Sequence, residues 1–262
     1  MKKIAIIGAG NMGGAIARGL LKGQLISPKN ISISDVSEST LETFRKLSNE
    51  WTLTHSNEEA IKDVDIIILA VKPWLVEKIA DEIAEKINYK QQVLVSIAAG
   101  VDFFNLQNLF DWEAVIFRII PNTAIEIQES VSTITSINAD KEQIESISSI
   151  FGELGKVFYV ENEKLLNAHM SLSSCGIAYA FRYIRAAMEG GVEMGIYPET
   201  AKEVVMQTLK GAVKLLEENQ SHPEAEIDKV TTPGGITIQG LNEMEAHGFT
   251  NAVIKGLKKS KI

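Results

Sequence analysis

The first half of the chain alternates short apolar runs with amphipathic stretches. The apolar runs are β-branched and nearly continuous, which is typical of parallel strands buried on both faces. They are Ile4–Ile7, Ile31–Ile33, Ile66–Val71, Val93–Ile97 and Val115–Ile119. The stretches between them predict helices at Met12–Leu21, Glu38–Leu47, Glu58–Lys62 and Leu75–Ile87. This alternation predicts a doubly wound α/β sheet.

The second half first adds two strand-like runs and then becomes helical. Val131–Ile137 and Lys156–Val160 predict late strands around a helix at Lys141–Leu154. Beyond Val160 the apolar positions recur at helical spacing. The helices predicted there are Glu163–Met170, Ala178–Met194, Glu199–Glu218 and Pro233–His247. We therefore predict an α/β domain over residues 1–161 and an all-α domain over residues 162–262.

Two finer expectations concern the helical half. Tyr179 and Phe181 are expected in its core, because they lie within a long helical pattern. The terminal segment Lys255–Lys261 is rich in lysine and is expected to be a frayed, solvated tail.

Composition narrows the class of protein. The 262 residues carry a net charge of −8 and a pI of about 5.2. An acidic chain repels phosphates, so neither nucleic acid nor an anionic membrane is an expected partner. Cys175 is the single cysteine, which rules out an intrachain disulfide and fits a reducing compartment. No apolar run reaches the roughly 20 residues of a membrane span, so we expect a cytoplasmic protein. Four widely spaced histidines predict no metal site.

A glycine motif follows the first predicted strand and opens the first predicted helix. It reads Gly8-Ala9-Gly10-Asn11-Met12-Gly13. Gly8 and Gly10 allow a tight turn and a close approach to a pyrophosphate, and Gly13 allows the helix to pack on the strand. The helix N-terminus offers N–H groups to the phosphates. The motif therefore predicts a Rossmann-type dinucleotide site over residues 1–161; the alternative is a glycine-rich turn without a ligand.

The residues after the second strand bear on the choice between NADH and NADPH. Asp35 can accept a hydrogen bond from an adenine ribose 2′-hydroxyl, which favours NADH. Ser34 and Ser37 can instead hydrogen-bond a 2′-phosphate, so NADPH stays open. A third possibility is that Asp35 caps the next helix.

Two further segments follow strands of the predicted sheet. Ala70-Val71-Lys72-Pro73 comes after the fourth candidate strand, and Lys72 is placed to face the dinucleotide. The alternative is a turn without a ligand, with a solvent-exposed lysine. Asn122, after the strand beginning near Val115, can hydrogen-bond near the nicotinamide; alternatively Pro121-Asn122 is a turn.

The helical half contains the most specific stretch of the chain. It reads Thr231-Thr232-Pro233-Gly234-Gly235-Ile236-Thr237. Pro suits a first helical turn, and two glycines leave the backbone bare. Hydroxyls and free N–H groups at a helix start can hold a small carboxylate. The alternative is a simple N-cap and loop.

With this stretch the sequence resembles the pyrroline-5-carboxylate reductases. The matching segments are Gly190-Gly191-Val192, Gln207-Thr208, Gly211-Ala212, His222-Pro223, Val230–Leu241, the glycine motif, Ala70-Val71-Lys72-Pro73 and Pro121-Asn122-Thr123. The resemblance therefore covers nearly the whole chain. It implies reduction of L-Δ1-pyrroline-5-carboxylate to L-proline, the last step of proline biosynthesis, with NADPH or NADH.

The resemblance also implies roles for single residues. Thr237 would sit by the imine nitrogen and the nicotinamide, while Thr232, Gly234 and Gly235 would hold the carboxylate. The segment containing Ser173, Ser174 and Cys175 would help to shape the substrate pocket. The helical domain would form homodimers, or a higher homo-oligomer such as a decamer.

The sequence departs from the family pattern at four positions. Family members carry Gly, Ser and Pro where this chain has Ser174, Cys175 and Ile177, and Pro where it has Ala124. These changes motivate a second hypothesis, a relative that binds NAD(P) but has lost turnover. A third hypothesis, a β-hydroxyacid-type dehydrogenase, needs a catalytic lysine that Lys164 does not supply.

Two other reactive side chains are given ordinary roles. Cys175 has no His–Asp or His–Asn partners at a suitable spacing, so we expect a small buried residue rather than a nucleophile. His169 lies on an apolar helical pattern and is expected to be structural, with a role in the pocket as the alternative.

Overall fold

The computed structural model describes residues 2–261 and divides them into two compact units. The first contains residues 2–174 with Lys261, and the second is Cys175–Ser260. The division comes one helix later than the predicted boundary at residue 161. The helix Glu163–Met170 belongs to the first unit because Leu166 and Met170 are buried against Ile120.

The first unit is built on an eight-stranded sheet. Its strands are β1 (Ile4–Ile7), β2 (Ile31–Ser34), β3 (Thr52–Thr54), β4 (Ile66–Leu69), β5 (Val93–Ser96), β6 (Ile116–Ile120), β7 (Ser130–Ile137) and β8 (Gly155–Tyr159). The strand order is β3-β2-β1-β4-β5-β6-β7-β8. Strands β3 to β6 pair in parallel, β7 runs antiparallel to β6, and β8 is parallel to β7. The predicted doubly wound sheet is confirmed.

Helices cover both faces of this sheet. They are α1 (Asn11–Lys22), α2 (Glu38–Arg45), α3 (Asn57–Ala60), α4 (Val76–Ile83), α5 (Phe103–Leu109), α6 (Lys141–Gly152) and α7 (Glu163–Met170). Alternate side chains of β1 enter two separate cores. Ile4 and Ile6 pack with Phe44 and Phe151 on one face, whereas Ile7 packs on the other. Strands buried on both faces explain the continuous apolar runs.

The second unit is entirely helical. Its helices are α8 (Gly176–Glu193), α9 (Pro198–Asn219), α10 (Pro223–Val230), α11 (Ile236–Ala246) and α12 (Phe249–Lys259). Helices α8 and α9 pack against each other at Gly191, where an added Cβ would lie 3.1 Å from the Cβ of Ala201. His222 starts α10 by accepting a hydrogen bond from the N–H of Glu224.

Three expectations for this unit are wrong. The terminal segment forms the end of α12 rather than a tail, and Pro233 precedes α11 in a turn. Tyr179 and Phe181 are 39% and 59% exposed instead of lying in a core. Within Cys175–Ser260 only Gly191 and Ala201 are buried. The unit therefore lacks a hydrophobic core of its own.

No helix within residues 2–261 combines the length and the hydropathy needed to span a bilayer.

Candidate active site

The carboxyl ends of β1, β2 and β4 meet at Gly8. Its N–H donates to the carbonyl of Ser34 at 2.9 Å, and the N–H of Ala70 donates to the carbonyl of Ile7 at 2.8 Å. Gly8 has a φ of +89°, and an added Cβ would lie 2.9 Å from both Ala70 O and Val71 Cγ1. Only glycine fits here, because both the backbone conformation and the space exclude a side chain.

The rest of the glycine motif forms an open cradle. An added Cβ at Gly13 would lie 1.9 Å from the carbonyl oxygen of Gly8, so α1 approaches the loop too closely for any side chain. At Gly10 an added Cβ would meet no atom within 4 Å. The N–H groups of Asn11, Met12 and Gly13 precede the first intrahelical hydrogen bond, and no described side chain caps Gly10. Free donors facing open space fit a pyrophosphate.

Asp35 is tied directly to this loop. Its Oδ2 accepts from the N–H of Ala9 at 2.8 Å, and its Oδ1 accepts from the N–H of Ser37 at 2.8 Å. The cap of α2 is Ser37, whose hydroxyl accepts from the N–H of Thr40. The alternative that Asp35 caps the helix is therefore wrong. Its carboxylate keeps unused lone pairs at the position where a ribose is bound in such sheets.

Ser34 does not point outwards as the sequence suggested. It is fully buried, and its hydroxyl donates to Oδ1 of Asn57 at 2.7 Å. Asn57 in turn donates from Nδ2 to Glu82 at 2.6 Å. A 2′-phosphate contact from the Ser34 hydroxyl is therefore contradicted. Sequence reasoning missed Asn57, which lies beside the end of β2 although it is far from that strand in the chain.

The segment after β4 lies beside the glycine motif and carries an exposed lysine. Val71 lies against Gly8, as the contact of its Cγ1 with an added Cβ shows. Lys72 is exposed and precedes a short 3-10 turn, Pro73–Leu75. Trp74, within that turn, is 75% exposed and was not singled out from the sequence.

Asn122 links the end of β6 to the segment that follows α7. Its Oδ1 accepts from the N–H of Ala124 at 3.0 Å, which starts a 3-10 turn at Thr123–Ile127. Its Nδ2 donates to the carbonyl of Ser173 at 3.3 Å. The side chain is 7% exposed. Asn122 thus forms the turn and also contacts Ser173. The sequence analysis assigned both of these residues to the site.

Ser173 belongs to a π-helical turn, Ser171–Cys175. Such turns are rare and are frequently found at functional sites. The hydroxyl of Ser173 donates to the carbonyl of His169 at 2.8 Å. Ser174 and Cys175 are half-buried, and Cys175 has a free thiol. Nδ1 of His169 lies 3.3 Å from the hydroxyl of Thr133, a structural contact that agrees with the expectation for this residue.

A partly buried ion pair fixes the start of α7. Nη1 of Arg118 lies 2.5 Å from Oε1 of Glu163, and the same oxygen accepts from the N–H of Phe103 at 2.8 Å. The Arg118 side chain is only 4% exposed. The pair joins β6, α5 and α7, and so supports the π-helical turn at the end of α7. No pattern in the sequence predicts this pair.

The Thr-Pro-Gly-Gly stretch forms a tight turn in the second unit. Gly234 has a φ of +72°, and the N–H of Gly235 donates to the carbonyl of Thr232 at 2.9 Å. An added Cβ at Gly235 would lie 2.7 Å from the hydroxyl of Thr232. Gly235 begins α11 without a side-chain cap among the described residues, and Thr237 is exposed in the first turn. The turn offers hydroxyl and N–H donors to a small anion.

The described residues contain no cluster of possible metal ligands. Across the described part of the chain, no three His, Cys, Asp or Glu side chains come together as a possible metal site.

Comparisons with known proteins agree with this layout. Residues 163–261 match a family model described as pyrroline-5-carboxylate reductase dimerisation, and residues 3–100 match one described as NADP oxidoreductase, coenzyme F420-dependent. Pyrroline-5-carboxylate reductase 2 of Dictyostelium discoideum is 35% identical over 99% of this chain and 91% of its own length. Pyrroline-5-carboxylate reductase 1 of the same organism is also 35% identical over 98% of this chain, which spans 48% of that relative.

A solved structure extends the similarity to the whole fold. The pyrroline carboxylate reductase of Plasmodium falciparum, with NADP bound, superposes with a TM-score of 0.90 at 27% identity. The match covers 99% of this chain and 95% of the other.

Proposed function

Because the chain belongs to the pyrroline-5-carboxylate reductase family, we propose that it reduces L-Δ1-pyrroline-5-carboxylate to L-proline with NADPH or NADH. The observation that carries this proposal is the uncapped start of α1 at the meeting point of β1, β2 and β4. Its glycines leave space and donors where a dinucleotide pyrophosphate is held in such sheets.

The first unit supplies the cofactor site. Residues Ala9 to Gly13 would hold the pyrophosphate, and Asp35 would accept from the adenine ribose. Ala70, Val71 and the Lys72-Pro73 pair form the neighbouring wall, and Asn122 would lie near the nicotinamide. When bound, the reduced nicotinamide supplies a hydride for the carbon of the C=N bond.

The second unit supplies the carboxylate site. Thr232, Gly234 and Gly235 would hold the ring carboxylate through the donors of their turn. Positioning of a bound substrate accounts for much of an enzymatic rate. The half-buried Ser173, Ser174 and Cys175 would shape the pocket.

The reaction does not need a strong general acid. A cyclic imine is readily protonated, and the carbon of its iminium form is already electrophilic. Reduction at that carbon would form the new C–H bond and move the C=N electron pair to nitrogen, which would keep the proton that made it an iminium. A hydroxyl that donates to the imine nitrogen, or relays a proton toward it, is sufficient, and Thr237 is the residue that we assign to this role.

The second unit also favours a homodimer. With two buried residues among the described ones, it cannot stabilise itself by its own core. Its helices expose large apolar side chains, among them Phe181, Val204, Phe249 and Ile254. Pairing of two copies would bury this surface. Sedimentation equilibrium distinguishes a dimer from a ring such as a decamer, and a monomer at micromolar concentration would contradict the proposal.

We place the reaction in the cytoplasm, because a chain with one cysteine needs no oxidising compartment. Fluorescence microscopy of a tagged copy in its own cells tests this.

The activity is tested with purified protein, pyrroline-5-carboxylate and each reduced nicotinamide cofactor. We expect the nicotinamide absorbance to fall with time and proline to accumulate in equal amount. Tight cofactor binding without cofactor oxidation would instead support a non-catalytic relative, the hypothesis that Ser174, Cys175 and Ile177 motivate.

A further inference from the structure

The proposed function leaves open which dinucleotide the chain uses, and this inference rests on that function. We propose that the chain prefers NADH, and that Glu38 determines this preference by holding the two cations that a 2′-phosphate would need. The relevant groups are all at the turn between β2 and α2 and in the loop after β3, within the first unit.

The first step concerns the ribose. Each oxygen of the Asp35 carboxylate accepts one backbone N–H, from Ala9 and from Ser37. A carboxylate has about four acceptor positions, so one on each oxygen remains for the hydroxyls of a ribose. The contact with Ala9 places this carboxylate beside the pyrophosphate loop. A 2′-phosphate in the same place would bring two further negative charges to a carboxylate.

The second step concerns the cations close to Asp35. His55 lies nearest, because its Nδ1 is 2.8 Å from the carbonyl oxygen of Asp35. Its Nε2 is 2.8 Å from Oε2 of Glu38. Nη1 of Arg45 is 3.2 Å from Oε1 of Glu38, and Arg45 also pairs with Glu42. Glu38 therefore bridges both cations, one with each oxygen.

The pKa values support this bridge. The pKa of His55 is raised above 6.5, first by the hydrogen bond to the Asp35 carbonyl and then by Glu38. The pKa of Glu38 is lowered below 4.5, first by the hydrogen bond from His55 and then by Arg45. A doubly protonated imidazole donates to both of its acceptors, which is consistent with the two contacts.

The third step concerns the hydroxyls that remain. Ser37 Oγ accepts from the N–H of Thr40 and lies 2.9 Å from the hydroxyl of Ser39. Ser34 is buried. A 2′-phosphate would therefore find both cations and the nearest serine engaged, and it would have to displace Glu38 before it could pair with Arg45 or His55. NADH carries no 2′-phosphate, so it can bind without displacing Glu38.

The test measures binding without turnover. The dissociation constants of NADH and NADPH are determined by isothermal titration calorimetry for the unmodified chain, for Glu38→Gln and for Glu58→Gln. Glu58 is exposed, and Glu58→Gln changes the net charge equally at a residue outside this bridge. We expect the unmodified chain to bind NADH about tenfold more tightly than NADPH. Glu38→Gln should reduce that ratio about fivefold, the effect of one charge pair across water. Glu58→Gln should leave it unchanged.

Two results would overturn the inference. One is NADPH binding as tight as NADH binding in the unmodified chain. The other is an unchanged ratio in Glu38→Gln while circular dichroism shows a folded protein. If neither dinucleotide bound to the unmodified chain, the proposed function itself would fail, and this inference with it. Competition by 5′-AMP and by 2′,5′-ADP repeats the comparison for the adenosine end alone, with the same expected order.

Discussion

The N–H of Ala124 donates to Oδ1 of Asn122 at 3.0 Å, and this bond orients the amide so that Nδ2 reaches the carbonyl of Ser173. The family pattern that this sequence resembles has a proline where this chain has Ala124, and proline has no N–H to donate. The substitution therefore adds a donor at the point where the end of β6 meets the π-helical turn. The chain departs from its family here without losing the link between these two segments.

This link should contribute measurably to stability. Asn122→Ala removes both bonds of a buried side chain and should destabilise the fold by about 2 kcal/mol. Ala124→Pro removes one bond, about 1 kcal/mol, but restricts the unfolded chain by a similar amount, so its net effect should be small. Urea denaturation of both variants provides the comparison. A loss of only about 1 kcal/mol in Asn122→Ala would show that the contact with Ser173 contributes nothing.

Substitution by alanine should affect the stability of the fold at one glycine of the motif and cofactor binding at another. Gly13→Ala places a Cβ 1.9 Å from the carbonyl of Gly8 and should destabilise the fold by about 1–3 kcal/mol. Gly10→Ala meets no protein atom within 4 Å, so the fold should hold while its methyl group intrudes on the pyrophosphate space. Thermal melting and cofactor titration separate the two effects. Unchanged cofactor affinity in Gly10→Ala would place the pyrophosphate elsewhere.

Thr237 should affect turnover and not the cofactor. It is exposed in the first turn of α11, so Thr237→Val should leave the fold intact. Loss of the hydroxyl should lower kcat by roughly 10²-fold, the lower end for a lost proton-donating group. Thr237→Ser, which keeps the hydroxyl, should retain most of the activity. Steady-state kinetics and cofactor titration are the measurements, and full activity of Thr237→Val would remove the residue from the mechanism.

The pairing of His55 with Glu38 should depend on pH in a defined window. The folded pKa of His55 is raised above 6.5, so its contribution to stability is complete below 6.5 and is lost as the pH rises through the folded pKa. The folded pKa of Glu38 is lowered below 4.5, so its contribution is present above 4.5 and is lost as the pH falls through the folded value. Both contributions are therefore complete between about 4.5 and 6.5, and the ion pair itself persists above 6.5 up to the raised pKa of His55.

An NMR titration of the His55 ring measures this directly. Its midpoint should lie above 6.5, and it should fall in Glu38→Gln, with His55→Gln used to assign the signal. Part of the rise should survive in Glu38→Gln because the carbonyl of Asp35 still accepts from the ring. A midpoint at or below 6.5 in the unmodified chain would refute the pairing.

Local patterns predicted most of the first unit. The strands β1, β2 and β4 to β8 appear where the apolar runs lie, because a strand buried on both faces leaves a continuous signal in the sequence. Strand β3 was missed since Thr52–Thr54 contains a single large apolar residue between two threonines. Helix α5, Phe103–Leu109, was not predicted.

Contacts between distant residues could not be predicted in this way. Asp35 accepts from Ala9, 26 residues away, and Arg118 pairs with Glu163, 45 residues away. In neither pair does the sequence around one residue indicate which residue it contacts. The exposure of Phe181 has a similar origin, since an apolar helix position has the same pattern in a core and in an interface between subunits.

The most direct test of the reductase assignment follows the hydride itself. The protein is incubated with pyrroline-5-carboxylate and NADH carrying deuterium at both positions of nicotinamide C4, and the proline formed is examined by mass spectrometry and NMR. We predict proline with one deuterium, on the ring carbon that adjoins nitrogen and does not bear the carboxylate. Proline without deuterium at that carbon, or no proline above the level without enzyme, would contradict the account.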